Sequence, residues 1–201
     1  MNANEYQELA GRTLIDGPGF ELTDEEAKIT YVMLDLVTNV GEIADLVKKG
    51  IYHRHGFDKV SFLIFLERAK FVIGQLEEGC PDAEPMMPSA KGTMLAWNAL
   101  GLAGEAGEAV LHASDMAFRR DVNIPLLSKE LGDTLWYIAA ICSKVGLSLE
   151  EVMSQNIAKL KKRYPDGYST AASIERVDSG ERAMRDRDVS VFSCEPKICD
   201  G

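Results

Sequence analysis

Apolar positions recur at intervals of three and four residues along most of the chain, which is the period of helices that bury one face. The pattern predicts a short helix over 4–13, then a Gly/Pro loop at Asp16-Gly17-Pro18-Gly19. Thr23 followed by Glu26 three places on is a capping box that opens a second helix, running to Lys49 and ending at Gly50. A third helix covers 58–78 and stops before Gly79. Cys80 to Ser89 holds three prolines and reads as a linker. Further helices are expected over 91–119, 125–145 and 148–163; Gly146 ends the second of these, and Ser148 with Glu151 caps the third. Tyr164-Pro165-Asp166-Gly167 is a turn. Val189 to Phe192 is the one stretch with an extended character, so the expected fold is an all-α antiparallel helical bundle.

The elements fall into units. Residues 1–79 form an N-terminal helical half, 80–90 a linker and 91–170 a second helical half. From residue 171 the chain changes character. Arg176 to Asp188 alternates acids and bases with almost no apolar anchor, so 171–201 is expected to be a flexible tail. The halves also echo each other. A shift of 63 residues lays Gly41-Glu42-Ile43-Ala44-Asp45 on Gly104-Glu105-Ala106-Gly107-Glu108. It lays Glu67-Arg68-Ala69-Lys70 on Glu130-Leu131-Gly132-Asp133 without a gap. An internal duplication would make the halves a pseudo-dimer within one chain, and only the second keeps all four carboxylates.

Composition narrows the function classes. The 201 residues are 46% apolar and 27% charged, which is globular and long enough to bury a core. The net charge of −10 argues against stable nucleic-acid binding through a broad basic surface. It leaves room for a small anion whose charge is offset by a divalent cation. The longest apolar run, Leu135 to Cys142, is too short to span a membrane, and the first residues lack a signal-peptide pattern. The four cysteines, at 80, 142, 194 and 199, form no C-x-x-C pair. Free thiols and a cytoplasmic location are the expectation.

The candidate chemistry lies in the second half. Glu105 and Glu108 share one helix face, with His112 near it; Glu130, Asp133 and Tyr137 share a face of the next helix, and Asn156, Lys159 and Arg163 of the last. Acids at i, i+3 spacing are common on solvated helix faces, and either pair alone would be read so. Two pairs on core-forming helices, with Gly104, Gly107 and Gly132 beside them, point further. Buried carboxylates need a countercharge, and an oxygen-only ligand set suits Mg²⁺, with Mn²⁺ as substitute. The glycines suggest close helix approach or room for a ligand. A di-iron bundle would want Glu-x-x-His, and the spacing from Glu108 to His112 is one residue too long. Two other groups have plain readings: Lys159 to Arg163 suit a helix C-terminus without any ligand, and Trp136 suits a core. His53 and His55, after Gly50, read as loop.

Asn98 to Tyr168 resembles the MazG-like, all-alpha nucleoside triphosphate pyrophosphohydrolases. The matching stretches are Gly101-Leu102-Ala103-Gly104-Glu105-Ala106-Gly107-Glu108, Lys129-Glu130-Leu131-Gly132-Asp133-Thr134-Leu135-Trp136-Tyr137, Gly146-Leu147-Ser148-Leu149-Glu150-Glu151-Val152 and Asn156 to Gly167. The family's E-x-x-E, spacer, E-x-x-D signature is present with 21 residues between Glu108 and Glu130. Glu5 to Thr13 looks like the helix that opens these domains, here attached to the first half. Val40 to Lys49 looks like a second, degenerate version of the metal helix.

The resemblance implies hydrolysis of a nucleoside triphosphate, NTP or dNTP, to the monophosphate and pyrophosphate, in nucleotide-pool housekeeping. It implies Mg²⁺ on Glu105, Glu108, Glu130 and Asp133, with Glu105 or Glu108 as the base. Lys159 and Arg163 would contact phosphate, Asn156 phosphate or sugar, and Tyr137 base or sugar, with Trp97 and Trp136 as candidates for a base pocket. Members assemble from paired subunits, so a homo-oligomer, a dimer first, is expected. Two alternatives stand: a phosphoribosyl-ATP pyrophosphohydrolase, and an inactive helical assembly module.

Overall fold

A computed structural model of the chain describes residues 1–15, 17–79, 87–119 and 123–174. It contains seven α-helices among those residues and no strand: α1 (Ala3–Gly11), α2 (Asp24–Ile51), α3 (Lys59–Glu77), α4 (Ala90–Ser114), α5 (Ile124–Val145), α6 (Leu149–Arg163) and α7 (Thr170–Ile174). A turn of π-helix, Asp115–Arg119, extends α4, so the single helix expected over 91–119 changes its winding at Asp115. The extended stretch expected at Val189–Phe192 and the thiols of Cys80, Cys194 and Cys199 lie outside the described residues. Cys142 is a buried free thiol.

Local chemistry accounts for the helix ends. Glu26 N–H donates to Thr23 Oγ1 at 3.2 Å and the Glu26 carboxylate accepts from Thr23 N–H at 2.8 Å, the capping box read from the sequence. At α6, Ser148 Oγ accepts from Glu151 N–H at 3.3 Å and turns its own proton to Asn4 Oδ1, 2.9 Å away. Gly146 ends α5 in the left-handed region at φ 76°, where a side chain would be strained. α2 runs through Gly50 to Ile51, and Phe57 folds back against Gly50 at a distance a Cβ would crowd (3.2 Å).

Two antiparallel pairs form the body, α2 with α3 and α4 with α5, and α2 also touches α4. Val32 and Val72 centre the first pair, with Leu36 and Leu76 packed on them. Asp35 and Arg68 join the same helices by an ion pair at 2.8 Å. Ala139, Cys142 and Leu149 centre a second cluster, and the residues packed on it include Ala3, Tyr6 and Ala10 of α1.

That last contact redraws the expected halves. α1, contiguous in sequence with the first half, packs on α5 and α6 of the second. Its polar side chains complete the junction: Gln7 Nε2 donates to the Leu147 carbonyl at 2.9 Å and Gln7 Oε1 accepts from Leu149 N–H at 2.8 Å. Beyond the helix, Trp136 Nε1 donates to Thr13 Oγ1 at 2.9 Å and Lys144 Nζ to the Ile15 carbonyl at 2.7 Å. At the α5–α6 corner α1 thus supplies both apolar cover, through Ala3, Tyr6 and Ala10, and hydrogen bonds, through Gln7. The segment expected to begin a tail at 171 starts as helix α7. Ser173 is fully buried there, its hydroxyl 3.0 Å from His55 Nε2 and 3.4 Å from His53 Nδ1.

Candidate metal centre

α4 and α5 carry the acids that the sequence singled out, and their packing decides which of them meet. Glu105, Glu130 and Asp133 come together, each offering an oxygen within 4.8 Å of the others. Glu130 is only 4% exposed, although it is a carboxylate. It faces into the α4–α5 contact, where a charge without a partner would be costly. Asp133 follows one turn later and is half-buried. Glu108, the fourth acid, is exposed and stands outside the group of three. His112 also lies outside it.

The electrostatics carry the mark of crowded negative charge. The Glu105 carboxyl is pushed above its ordinary range by desolvation. A hydrogen bond with Glu130 and the charges of Asp133, Glu108 and Glu130 add to the shift. Lys129 supplies a countercharge. Its ammonium lies 3.0 and 3.2 Å from the two Glu130 oxygens and 3.1 Å from Asp133 Oδ2. Those hydrogen bonds, to Glu130 first and Asp133 second, hold the Lys129 pKa well above the usual lysine value. Tyr6 of α1 borders the same place. Its hydroxyl donates to the Gly132 carbonyl at 3.4 Å, and its pKa is raised by burial and then by the Asp133 charge.

Lys129 and Tyr6 went unassigned in the sequence. Lys129 had a local signal, an i, i+4 relation to Asp133 next to an acid. Tyr6 had only the resemblance of Glu5–Thr13 to the helix that opens these domains, and no local signal, because 126 residues separate it from Gly132.

The donor set fits a hard divalent cation: three carboxylates, no thiol and no imidazole, with one acid protected from water. Such an ion would offset the like-charge repulsion that adds to desolvation at Glu105. The cluster can therefore bind a metal ion.

The remaining candidates scatter. Tyr137 is half-buried, and its ring lies directly on Gly101 of α4: a Cβ there would sit 2.2 Å from Cε1 and 2.3 Å from Cζ. Trp136 meets Tyr137 edge-on at 4.9 Å between centroids. With its indole N–H held by Thr13, Trp136 is a packing residue of the α1–α5 junction. Trp97 is 44% exposed on α4, 6.5 Å from the Phe20 ring. Asn156 and Lys159 are exposed on α6, which packs chiefly on α1. Arg163 is half-buried, its guanidinium 5.9 Å from the centre of the Tyr164 ring. Of the two readings of Gly104, Gly107 and Gly132, open space around each leaves room for a ligand and not close helix approach, since nothing lies within 4 Å of a Cβ at any of them. Gly101, quoted only as part of a motif, is the tight position.

Residues 95–168, which span α4, α5 and α6, match the family model of the MazG nucleotide pyrophosphohydrolase domain. The Gene 37 protein of Mycobacterium phage L5 is 33% identical over 88 residues, covering 41% of this chain and 76% of that protein. No solved structure matches the chain significantly. None of the described helices is long and apolar enough to cross a membrane. An all-helical fold, the ordered E-x-x-E and E-x-x-D motifs and the matching domain lead to one conclusion: the chain belongs to the MazG-like family of nucleotide pyrophosphohydrolases.

Proposed function

We propose that the protein hydrolyses a nucleoside triphosphate, NTP or dNTP, to the monophosphate and pyrophosphate with Mg²⁺ as cofactor, in nucleotide-pool housekeeping. The observation that carries this reading is the convergence of Glu105, Glu130 and Asp133 within 4.8 Å inside the matched domain. These three would hold the ion, with Mn²⁺ as a substitute. The cation would offset phosphate charge and lower the pKa of the attacking water. Glu108, exposed one turn from Glu105 and outside the group of three, then accepts the proton that the water loses on attacking the α-phosphorus. Glu105, gathered with Glu130 and Asp133, serves as ligand.

Tyr137, lying on Gly101, borders the substrate and stacks on its sugar or base. Trp97 offers an exposed aromatic face on the same helix as Glu105 and Glu108. Asn156, Lys159 and Arg163 bind phosphate, the arginine as a fork. A homodimer is the assembly proposed. Exposed apolar side chains near the acids support such an assembly: Val110 is 67% and Leu131 54% exposed.

The test is pyrophosphate release from the eight common NTPs and dNTPs with Mg²⁺, by the wild type and Glu130→Gln. Release by the wild type alone is the expected result, and the best substrate names the base. Release from phosphoribosyl-ATP only would replace the substrate assignment. Release from none of them, with no Mn²⁺ binding, would leave an inactive assembly module.

A further inference from the structure

Lys129 contacts the acid cluster directly, and no role in the proposed reaction requires it. Its ammonium touches both oxygens of Glu130 and one of Asp133, all within 3.2 Å. A divalent cation held by Glu130 and Asp133 would use those same oxygens, and like charges at such separation repel strongly. The ammonium and the ion are therefore alternatives.

The burial of the partners says which one moves. The Lys129 side chain is 60% exposed, whereas that of Glu130 is 5% exposed. The lysine can swing into water on its flexible stem, while Glu130 is held between α4 and α5.

We propose that Lys129 is a built-in counter-cation: it bridges Glu130 and Asp133 when no ion is bound, must leave them for a divalent cation to load, and so sets the concentration at which the site fills. This rests on reading the cluster as a metal site. It assigns Lys129 a positioning role, keeping the acids gathered before loading, and gives it no contact with the reacting atoms.

The experiment is calorimetric titration of the full chain with Mn²⁺ alone, paired with melting curves with and without the ion. Exposed ion pairs have modest strength, so Lys129→Met should bind Mn²⁺ about two- to tenfold tighter than wild type. Its melting temperature should fall without Mn²⁺ and return to the wild-type value at saturation. Lys129→Arg, which retains the charge, should stay near wild type. Lys91→Met removes one positive charge elsewhere on α4, about 21 Å along the helix from Glu105, and should leave Mn²⁺ affinity within about twofold.

A second measurement needs no variant. Acylation of the Lys129 amine, read by mass spectrometry on the folded wild type, should accelerate when Mn²⁺ is added. Equal or weaker Mn²⁺ binding by Lys129→Met, an equal gain in Lys91→Met, or an acylation rate unchanged by Mn²⁺ would each overturn the proposal. Wild type that binds no Mn²⁺ would remove the metal-site reading, and this inference with it. Wild type that binds while Lys129→Met shows no gain would remove this inference alone.

Discussion

Under a shift of 63 residues two short sequence blocks of the α2–α3 pair fall on blocks of the α4–α5 pair, yet the two pairs dispose of their acids in opposite ways. In the first pair, Asp45 is held by Lys48 at 2.6 Å and by Lys49, both on its own helix. Lys70, where the second pair has Asp133, turns to Glu67 at 2.8 Å. Asp45 and Glu67 are thus neutralised locally, by neighbours three or four residues away. In the second pair, Glu105 reaches Glu130 and Asp133 across the helix interface. Lys129 partners two of them and leaves an excess of negative charge.

Two further positions differ. Asp35 and Arg68 tie the first pair together; their counterparts in the shift are Asn98, which is buried and bonded to the Met94 carbonyl at 2.6 Å, and Leu131, which is exposed. The lesson is that an acidic motif becomes a candidate site only where its charge is left partly uncompensated between elements.

The sharpest way to break this contrast is to make the second pair resemble the first. Asp133→Lys places the Lys70 residue type in the cluster and should reduce pyrophosphate release by at least about a hundredfold, since even residues behind metal ligands cost about 10–100-fold. Retained activity in a well-folded variant would show that the cluster is not the site. Next in size, Gly101→Ala puts a methyl into the Tyr137 ring and should cost about 1–3 kcal/mol, measured by urea denaturation. An unchanged midpoint would mean that the ring has room to move away.

Acid titration probes the neutralised pair. Desolvation raises the Asp45 pKa, but hydrogen bonds and charge from Lys48 and Lys49 win and bring it from 3.8 down to about 2. A carboxylate depressed in the folded state stabilises above its unfolded pKa, and that contribution is lost as pH falls from about 4 to about 2. Asp45→Asn should therefore be less stable than wild type at pH 6, with the gap closing across that window. A gap that persists at pH 2 would assign the effect to packing. The smallest effect is expected at Gly41, which aligns with Gly104 in the shift and has open space around it. Gly41→Ala should stabilise α2 by about 0.5–1 kcal/mol in the same urea assay. Destabilisation there would reveal a contact that Gly104 lacks.

What the chain determined alone was what depends on near neighbours. Helix starts at Thr23 and Ser148 and the stop at Gly146 follow from backbone groups satisfied within a few residues. The placement of Glu130 and Asp133 on one side of α5 follows from 3.6-residue geometry. Spacing sets the angle of a side chain on its helix but not which helix lies opposite. Only tertiary packing put Glu108 outside the group of three, brought Glu105 of α4 to Glu130 and Asp133 of α5, and laid Tyr137 on Gly101. It also took α1 from the half it adjoins in sequence to α5 and α6, where Gln7 bonds Leu147 and Leu149 and Ala3, Tyr6 and Ala10 cover the apolar cluster. These outcomes depend on contacts between residues far apart in the chain, and a local pattern carries no information about its distant partner.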